Sequence, residues 1–337
     1  FIGGLGVGAS TIAAPAYVTE ISPADKRGRL VAMYQFNIVF GILIAYLSNF
    51  IFSNLDLGAN TWRWMLGVQV VPAAIYTLMV LGIPMSPRWL VMKGRIEDAR
   101  KVLVVINPEA DINELVASAQ KDGGKKESLL LKKYRLPVLL AFLIAFFNQM
   151  SGINAFLYYA PRIFEIAGLE KSSALLSSVG IGVVNLIFTF VGLSLIDKFG
   201  RRQLMYIGSF GYIVSLGLVS LSFFLGWKGM MVPLFFFLFI AAHAVGQGTV
   251  IWVFISEIFP SHLRAQGQAL GSSTHWVLAA AIPAAIPYLF DEIGASWVFA
   301  CFTAMMVLQL VFVMFMMPET KGVPLEELSK SLIKEES

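Results

Sequence analysis

The chain has 337 residues, 57% of them hydrophobic and only 14% charged, with a formal net charge of +4. Soluble domains carry about 25% charged residues, so a water-soluble globular protein is excluded. The small positive charge follows the loops rather than a folded basic surface, which argues against a nucleic-acid partner. The single cysteine, Cys301, rules out a disulfide within the chain and disfavours a structural zinc site.

In chain order, apolar spans are predicted over 1–19, 29–53, 64–84, 137–160, 172–196, 203–226, 229–256, 266–290 and 295–317. Each approaches or exceeds the roughly 20 helical residues that cross a bilayer. Apart from Arg29 at one entrance, none contains Asp, Glu, Lys or Arg. Nine such stretches could not be hidden in one soluble core. The polar stretch 85–136 interrupts them. There Ile96, Ala99, Val102, Leu103 and Ile106 keep helical spacing up to Asn107-Pro108. Asp111 and Glu114 resemble a capping box for a second helix, which Gly123-Gly124 ends. Short amphipathic helices are therefore predicted in place of disorder.

The connections alternate between two sides of the membrane. Those around 20–29, 85–136, 197–202 and 257–265, with the tail from 318, hold 21 of the 25 Lys and Arg residues. Positive loops stay inside. The expectation is an integral multi-pass protein of the plasma (inner) membrane with its C-terminus in the cytoplasm.

The sequence also repeats. Glu20, Pro23 and Arg27 recur as Glu257, Pro260 and Arg264, each 237 positions later, and PMSPRWL at Pro84 is followed by PETKG at Pro318, 234 positions on. Duplicated halves with a ligand held between them are a transporter architecture. Shifting Pro137 back by 237 gives −100, so three further spans are expected ahead of Phe1. The expected organisation is an N-terminal bundle remainder over 1–84, a cytoplasmic helical linker over 85–136, a six-helix bundle over 137–317 and a tail over 318–337.

These landmarks resemble the sugar porter family of the major facilitator superfamily. The likeness runs through GGLGVG at 3–8, PAYVTEISPADKRG, PMSPRWL, GRIEDARKVL at 94–103, NQMSGINAFLYYAP at 148–161, GVVNLIFTF at 182–190, DKFGRR, IWVFISEIFPSHLR and PETKGVPLEEL at 318–328. The resemblance implies an all-α membrane fold of two pseudo-repeated bundles, with nine of twelve helices in this chain. It also implies alternating-access transport of a hexose, pentose or related polyol, with or without proton coupling. The family's coupling acid and arginine fall outside this chain.

A sugar presents hydroxyls that donate and accept, plus apolar C–H faces. Amide side chains suit the first and aromatic rings the second, while charges are costly in the membrane. The spans supply Gln35, Asn37, Asn148, Gln149, Asn154, Asn185, Gln247, Trp252, His275 and Trp276. On a continuous helix Gln149 and Asn154, five residues apart, would point about 140° from each other; Gly152 between them permits a bend. Gln149 and Asn154 match the family's glutamine and asparagine, and Asn148 replaces a second glutamine. Asn185, Gln35, Trp252 and Trp276 fall on family substrate positions, and His275 stands where the family has an amide. Tyr158 and Tyr159 resemble the family's extracellular gate, where the resemblance implies that Tyr158 reaches the sugar; an interfacial aromatic belt is the alternative. Gly246 and Gly248, with Gly152, are candidate hinges. The alternative for each polar residue is packing between helices.

Glu20, Arg27, Arg88, Asp197, Arg201, Arg202, Glu257, Arg264 and Glu319 gather at cytoplasmic helix ends and are candidates for a charge network that latches the closed state; Met85 replaces an acid of the family pattern. Three histidines, one cysteine and uncharged spans make an enzyme a poor alternative. No cofactor or metal is expected, and the partners are a small sugar or polyol, protons and the bilayer. A sugar sensor built on the transporter fold is the competing function.

Overall fold

The computed structural model describes residues 1–21, 27–55, 57–106, 112–113, 116–117, 127–260, 263–323, 328 and 331–333. Among the described residues the only regular elements are helices. Contacts divide the chain into two units, Phe1–Ile38 with Asp56–Glu127, and Val39–Leu55 with Ser128–Ser337. The grouping places 85–127 with the N-terminal helices and gives the second half of one long helix, α2, to the C-terminal unit.

The smaller unit holds α1 (Ile2–Ile21), the first part of α2 (Arg27–Ser53), α3 (Thr61–Gly67), α4 (Val70–Val80), α5 (Pro87–Met92) and α6 (Ile96–Ile106). Helix α5 starts where the sequence dictates. Ser86 is its cap, accepting from Trp89 N at 3.3 Å, and Pro87 occupies the first turn, where no N–H is needed. Helix α6 has the bounds its apolar spacing predicts, and its Ala99 packs with Leu90, Val91 and Ile112 in a small core. Tyr17 donates its hydroxyl to Pro84 O at 2.8 Å, tying α1 to the start of the polar segment. Asp111, Glu114, Gly123 and Gly124 lie outside the described residues.

The larger unit holds the rest of α2 with α7 (Arg135–Met150), α8 (Ile153–Ile166), α9 (Lys171–Phe199), α10 (Arg201–Leu225), α11 (Met231–Val245), α12 (Gln247–Glu257), α13 (Arg264–Glu292) and α14 (Gly294–Phe315). Among the described residues eight helical segments are long and apolar enough to cross a membrane. The ninth predicted span, 1–19, coincides with α1.

Three of the predicted spans are broken, 64–84 between α3 and α4 and two others at glycines. Gly152 separates α7 from α8 with φ 79°, the left-handed region that disfavours any side chain. A Cβ there would also lie 2.9 Å from the Phe302 ring. Gly246 separates α11 from α12 with φ −87° and ψ −99°. It lies against Gly208 of α10 so closely that a Cβ would come within 2.8 Å of the Gly208 Cα. Small residues let these backbones meet, as is usual where lipid supplies no hydrophobic drive. Gly248, inside α12, faces the carbonyl of His243, 3.2 Å from where a Cβ would stand. Pro161 sits inside α8 without breaking it.

The core of the larger unit is divided by depth. One cluster contains Phe156, Phe164, Tyr212, Phe236, Phe239, Phe299 and Met306. The other contains Leu140, Ile144, Phe147, Leu204, Val250, Phe254, Ile255, Phe312 and Val313. On helix after helix, the residues that separate the two are polar. Asn148, Gln149 and Ser151 lie between Phe147 and Ile153, Ser209 between Met205 and Tyr212, and Gln309 between Met306 and Phe312; Gln247 and Thr249 stand at the edge of the second cluster, between Val245 and Val250. A hydrogen-bonded polar layer therefore crosses the bundle between two apolar slabs. Buried amides there link the helices: Gln247 donates to Gln309 at 2.9 Å and Gln309 to Ser209 Oγ at 2.8 Å, joining α12, α14 and α10, while Gln247 Oε1 has no partner among the described residues.

Candidate functional site

The break at Gly152 builds the site. Residues that a continuous helix would turn apart come together across it, and Asn154 Nδ2 donates to Gln149 Oε1 at 3.0 Å. Gln149 Nε2 in turn donates to Asn148 Oδ1 at 2.9 Å and lies 3.0 Å from His275 Nδ1 on α13. Asn148 and Gln149 are buried, with 3% and 1% exposure, whereas Asn154 and His275 are half-buried. The turn is held by Ser151, whose hydroxyl donates to Asn148 O at 2.6 Å and accepts from Ile153 N at 3.3 Å.

An aromatic wall adjoins this chain of amides. The Trp252 indole on α12 lies 5.3 Å from the His275 ring, centroid to centroid, and Trp276 packs edge-on against the same imidazole at 5.2 Å. Gln268 donates to Trp252 O at 2.9 Å, anchoring α12 to α13 beneath the indole. The result is a set of neutral donors and acceptors beside an apolar face. That combination is chemically suited to the hydroxyls and C–H faces of a polyhydroxylated ring.

The structure thus brings Asn148, Gln149, Asn154, Trp252, His275 and Trp276 together. Asn185 is buried on α9, and its amide has no hydrogen-bond partner among the described residues. Tyr158 is exposed on α8, one turn after Asn154. Gln35 is half-buried on the part of α2 that belongs to the smaller unit. The sequence reading missed Gln268 and Gln309. Gln309, fully buried in an otherwise apolar helix, carried a readable signal: a lone amide at mid-span needs a partner.

At the ends of α9, α12 and α14 the charged residues form a second, separate constellation. Arg201 makes a two-pronged pair with Glu257, Nη2 to Oε1 at 2.7 Å and Nε to Oε2 at 3.1 Å. Asp197 lies 3.4 Å from the same guanidinium. Thr320 Oγ1 donates to Glu257 at 2.6 Å. The Glu319 carboxylate caps α10, accepting from the backbone N–H of Arg201 at 2.9 Å and Arg202 at 3.0 Å, and also from Thr320 and Lys321 at 2.9 Å. Burial alone would raise the Glu319 pKa, but these four N–H donors outweigh it and hold the group below its ordinary value. Arg202 caps a helix instead of meeting a carboxylate, its guanidinium donating to Val313 O and Met314 O. Arg264 Nε donates to Ser256 O at 2.9 Å. Arg88 is half-buried on α5 in the smaller unit. The side chains of Glu20 and Arg27 lie outside the described residues. These pairs all act within the larger unit.

The family profile described as "Sugar (and other) transporter" matches residues 1–332. The chain is 38% identical to the probable metabolite transport protein CsbC of Bacillus subtilis, over 98% of this chain and 73% of that one. It is 35% identical to the arabinose-proton symporter of B. subtilis, over 99% and 74%, and 32% identical to the D-xylose-proton symporter of Escherichia coli K12, over 97% and 69%. Among solved structures, an inward-open xylose transporter XylE from E. coli superposes with a TM-score of 0.82 at 30% identity, covering 99% of this chain and 72% of that one. The same symporter bound to 6-bromo-6-deoxy-D-glucose gives 0.78 at 31% identity. With a family match over nearly its whole length and relatives above 30% identity, the chain belongs to the sugar transporter family of the major facilitator superfamily.

Proposed function

We propose that this protein is a carrier that moves a monosaccharide or polyol across the membrane by alternating access between two pseudo-repeated bundles, 1–84 and 137–317, with 85–136 as the linker. The observation that carries the reading is the Asn154–Gln149–Asn148 amide chain, closed by His275 and walled by Trp252 and Trp276, in a layer of the membrane-spanning unit that is otherwise apolar above and below. Neutral bidentate groups next to an indole suit a sugar ring, and an ion would require charge that the layer does not hold. Gln35, Asn185 and Tyr158 complete the substrate set in this reading. Gly152, Gly246 and Gly248 serve as hinges, and Glu20, Arg27, Arg88, Asp197, Arg201, Arg202, Glu257, Arg264 and Glu319 stabilise one closed state.

The distribution of Lys and Arg supports a plasma-membrane protein with its C-terminus in the cytoplasm; neither a catalytic role nor a nucleic-acid partner has support in the sequence. Similarity to pentose-proton symporters supports proton coupling. The test is uptake of radiolabelled D-xylose, L-arabinose, D-glucose and a polyol into proteoliposomes, with and without an imposed pH gradient. Saturable, sugar-competed uptake is expected, with accumulation when the gradient is inward. Tight sugar binding with no flux would favour the sensor, and neither binding nor flux would end the reading.

A further inference from the structure

Among the described residues no carboxylate bonds to His275, whose own helix carries Arg264 at its start and Asp291 and Glu292 at its end. The groups on the elements packed against α13 can be named. On α7 the chargeable side chain is Arg135, fourteen residues and about 21 Å of helix before Gln149. On α12 it is Glu257, held by Arg201. On α8, Arg162 and Glu165 pair with each other at 3.6 Å beyond Tyr158 and Tyr159, and α14 offers Cys301. Phenols and thiols remain neutral at and below neutral pH. Among the described residues the titratable group within electrostatic reach of His275 is His243 of α11, which is hydrogen-bonded to Tyr212.

The hydrogen-bonding of His275 is fixed by an amide chain. Gln149 has one NH2 group, which donates to Asn148 Oδ1 and points at the imidazole, and one oxygen, which accepts from Asn154 Nδ2. Chains of amides have two self-consistent polarities, since every amide has a donor end and an acceptor end. In the polarity that completes this chain, His275 accepts, which only a neutral imidazole can do. An imidazolium donates from both nitrogens. It would face the Gln149 NH2 donor to donor, and the conflict is removed only when Gln149 turns its oxygen toward His275. The Gln149 NH2 then meets Asn154, so Asn154 must present its oxygen, and Asn148 must present its NH2. One proton therefore reverses three amides.

We propose that His275 is a proton-binding site of the polar layer, wired through Gln149 so that its protonation inverts the donor and acceptor ends that Asn148 and Asn154 offer to a bound sugar. The inference rests on the carrier reading above, because it assigns a regulation to the same site. A sugar seated on Trp252 also dries the cleft, and a dry cleft disfavours an imidazolium. Acid therefore weakens sugar binding, and bound sugar resists protonation.

Two measurements on the full chain in detergent test this. The first needs no sugar. Imidazolium quenches a neighbouring indole, so tryptophan emission of the wild type is expected to fall on acidification between about pH 8 and pH 4. His275→Asn and His275→Gln remove that titration, and His243→Asn keeps it. The second follows D-xylose and D-glucose affinity over the same range. About a tenfold weakening toward acid is expected, the size of one misplaced buried hydrogen bond, and it is absent in whichever His275 variant still binds sugar. Emission that does not titrate, titration that survives in the His275 variants, or sugar affinity flat across a titration that does occur would each overturn the proposal. Absence of monosaccharide binding at every pH would instead overturn the carrier reading and the sugar coupling with it, while the sugar-free titration would still decide whether His275 takes the proton.

Discussion

The hydroxyl of Tyr46 on α2 donates to the carbonyl oxygen of Leu157 on α8. Leu157 is four residues before Pro161, the proline inside that helix, so it is the carbonyl that an ordinary residue at 161 would have bonded through its N–H. A side chain from another helix replaces the missing donor. Tyr46→Phe should cost about 1–3 kcal/mol, because it orphans that oxygen. In a Pro161→Ala background the same change should be nearly free. Thermal unfolding of the four proteins of this cycle gives the coupling directly, and equal losses in both backgrounds would show that the bond does not compensate the proline.

Among the described residues Arg201 and Glu257 form the most buried ion pair, with side-chain exposures of 12% and 18%. Removing one partner leaves the other charge in a partly desolvated pocket, a loss of about 2–4 kcal/mol after allowing for residual solvent. Glu257→Leu and Arg201→Met should each destabilise strongly, and the double variant should recover part of the loss. A double variant at the sum of the singles would refute the coupling.

Glu319 makes stability acid-sensitive in a stated direction. Its folded pKa lies below the ordinary 4.5, so its stabilising contribution is full above that value and is lost as pH falls through the depressed folded one. The melting temperature of Glu319→Gln should therefore lie below that of the wild type at neutral pH, and the gap should close below about pH 4. A gap that stays constant down to pH 3 would remove Glu319 as the cause.

Gly208 and Gly217 lie on the same helix and should respond oppositely to a methyl group. At Gly208 the new Cβ would be 2.9 Å from the backbone of Gly246, whereas at Gly217 its nearest neighbour is Thr303 Cγ2 at 3.9 Å. Gly208→Ala should destabilise by about 1–3 kcal/mol through overpacking. Gly217→Ala should be neutral, or stabilising by up to about 1 kcal/mol through helix propensity. Equal melting temperatures for the two variants would count against the close crossing.

In the candidate site, Gln149→Ala breaks the amide chain at its centre and should weaken monosaccharide affinity by about 1–3 kcal/mol. Trp252→Ala removes the apolar wall and should cost a similar amount, while Trp252→Phe retains part of it. Isothermal titration on purified protein reads all three, and wild-type affinity in both alanine variants would move the site elsewhere.

Much of this was readable beforehand. Charge-free runs located the spans, and the spacing of Ile96, Ala99, Val102, Leu103 and Ile106 gave the bounds of α6. Amides and indoles in apolar surroundings gave a wider inventory, because such residues are expensive in lipid without a purpose, and the family resemblance singled out Gln149, Asn154 and Trp252 within it. Other features depend on partners distant in sequence. Nothing near Pro161 announces Tyr46, 115 residues earlier. The dual role of Glu319 requires knowing that α10 begins beside it. The meeting of Gln149 with Asn154 could not follow from helical spacing, which would have kept them apart; it depends on the left-handed turn at Gly152.

The polar layer also has a bearing on how such a protein can be retuned. Because it partitions the greasy interior into two blocks with few shared residues, a repacking around Phe299 can leave the surroundings of Phe254 untouched. Each block can then drift under selection, or be engineered, without dragging the other along, while the amides between them stay fixed as the common axle.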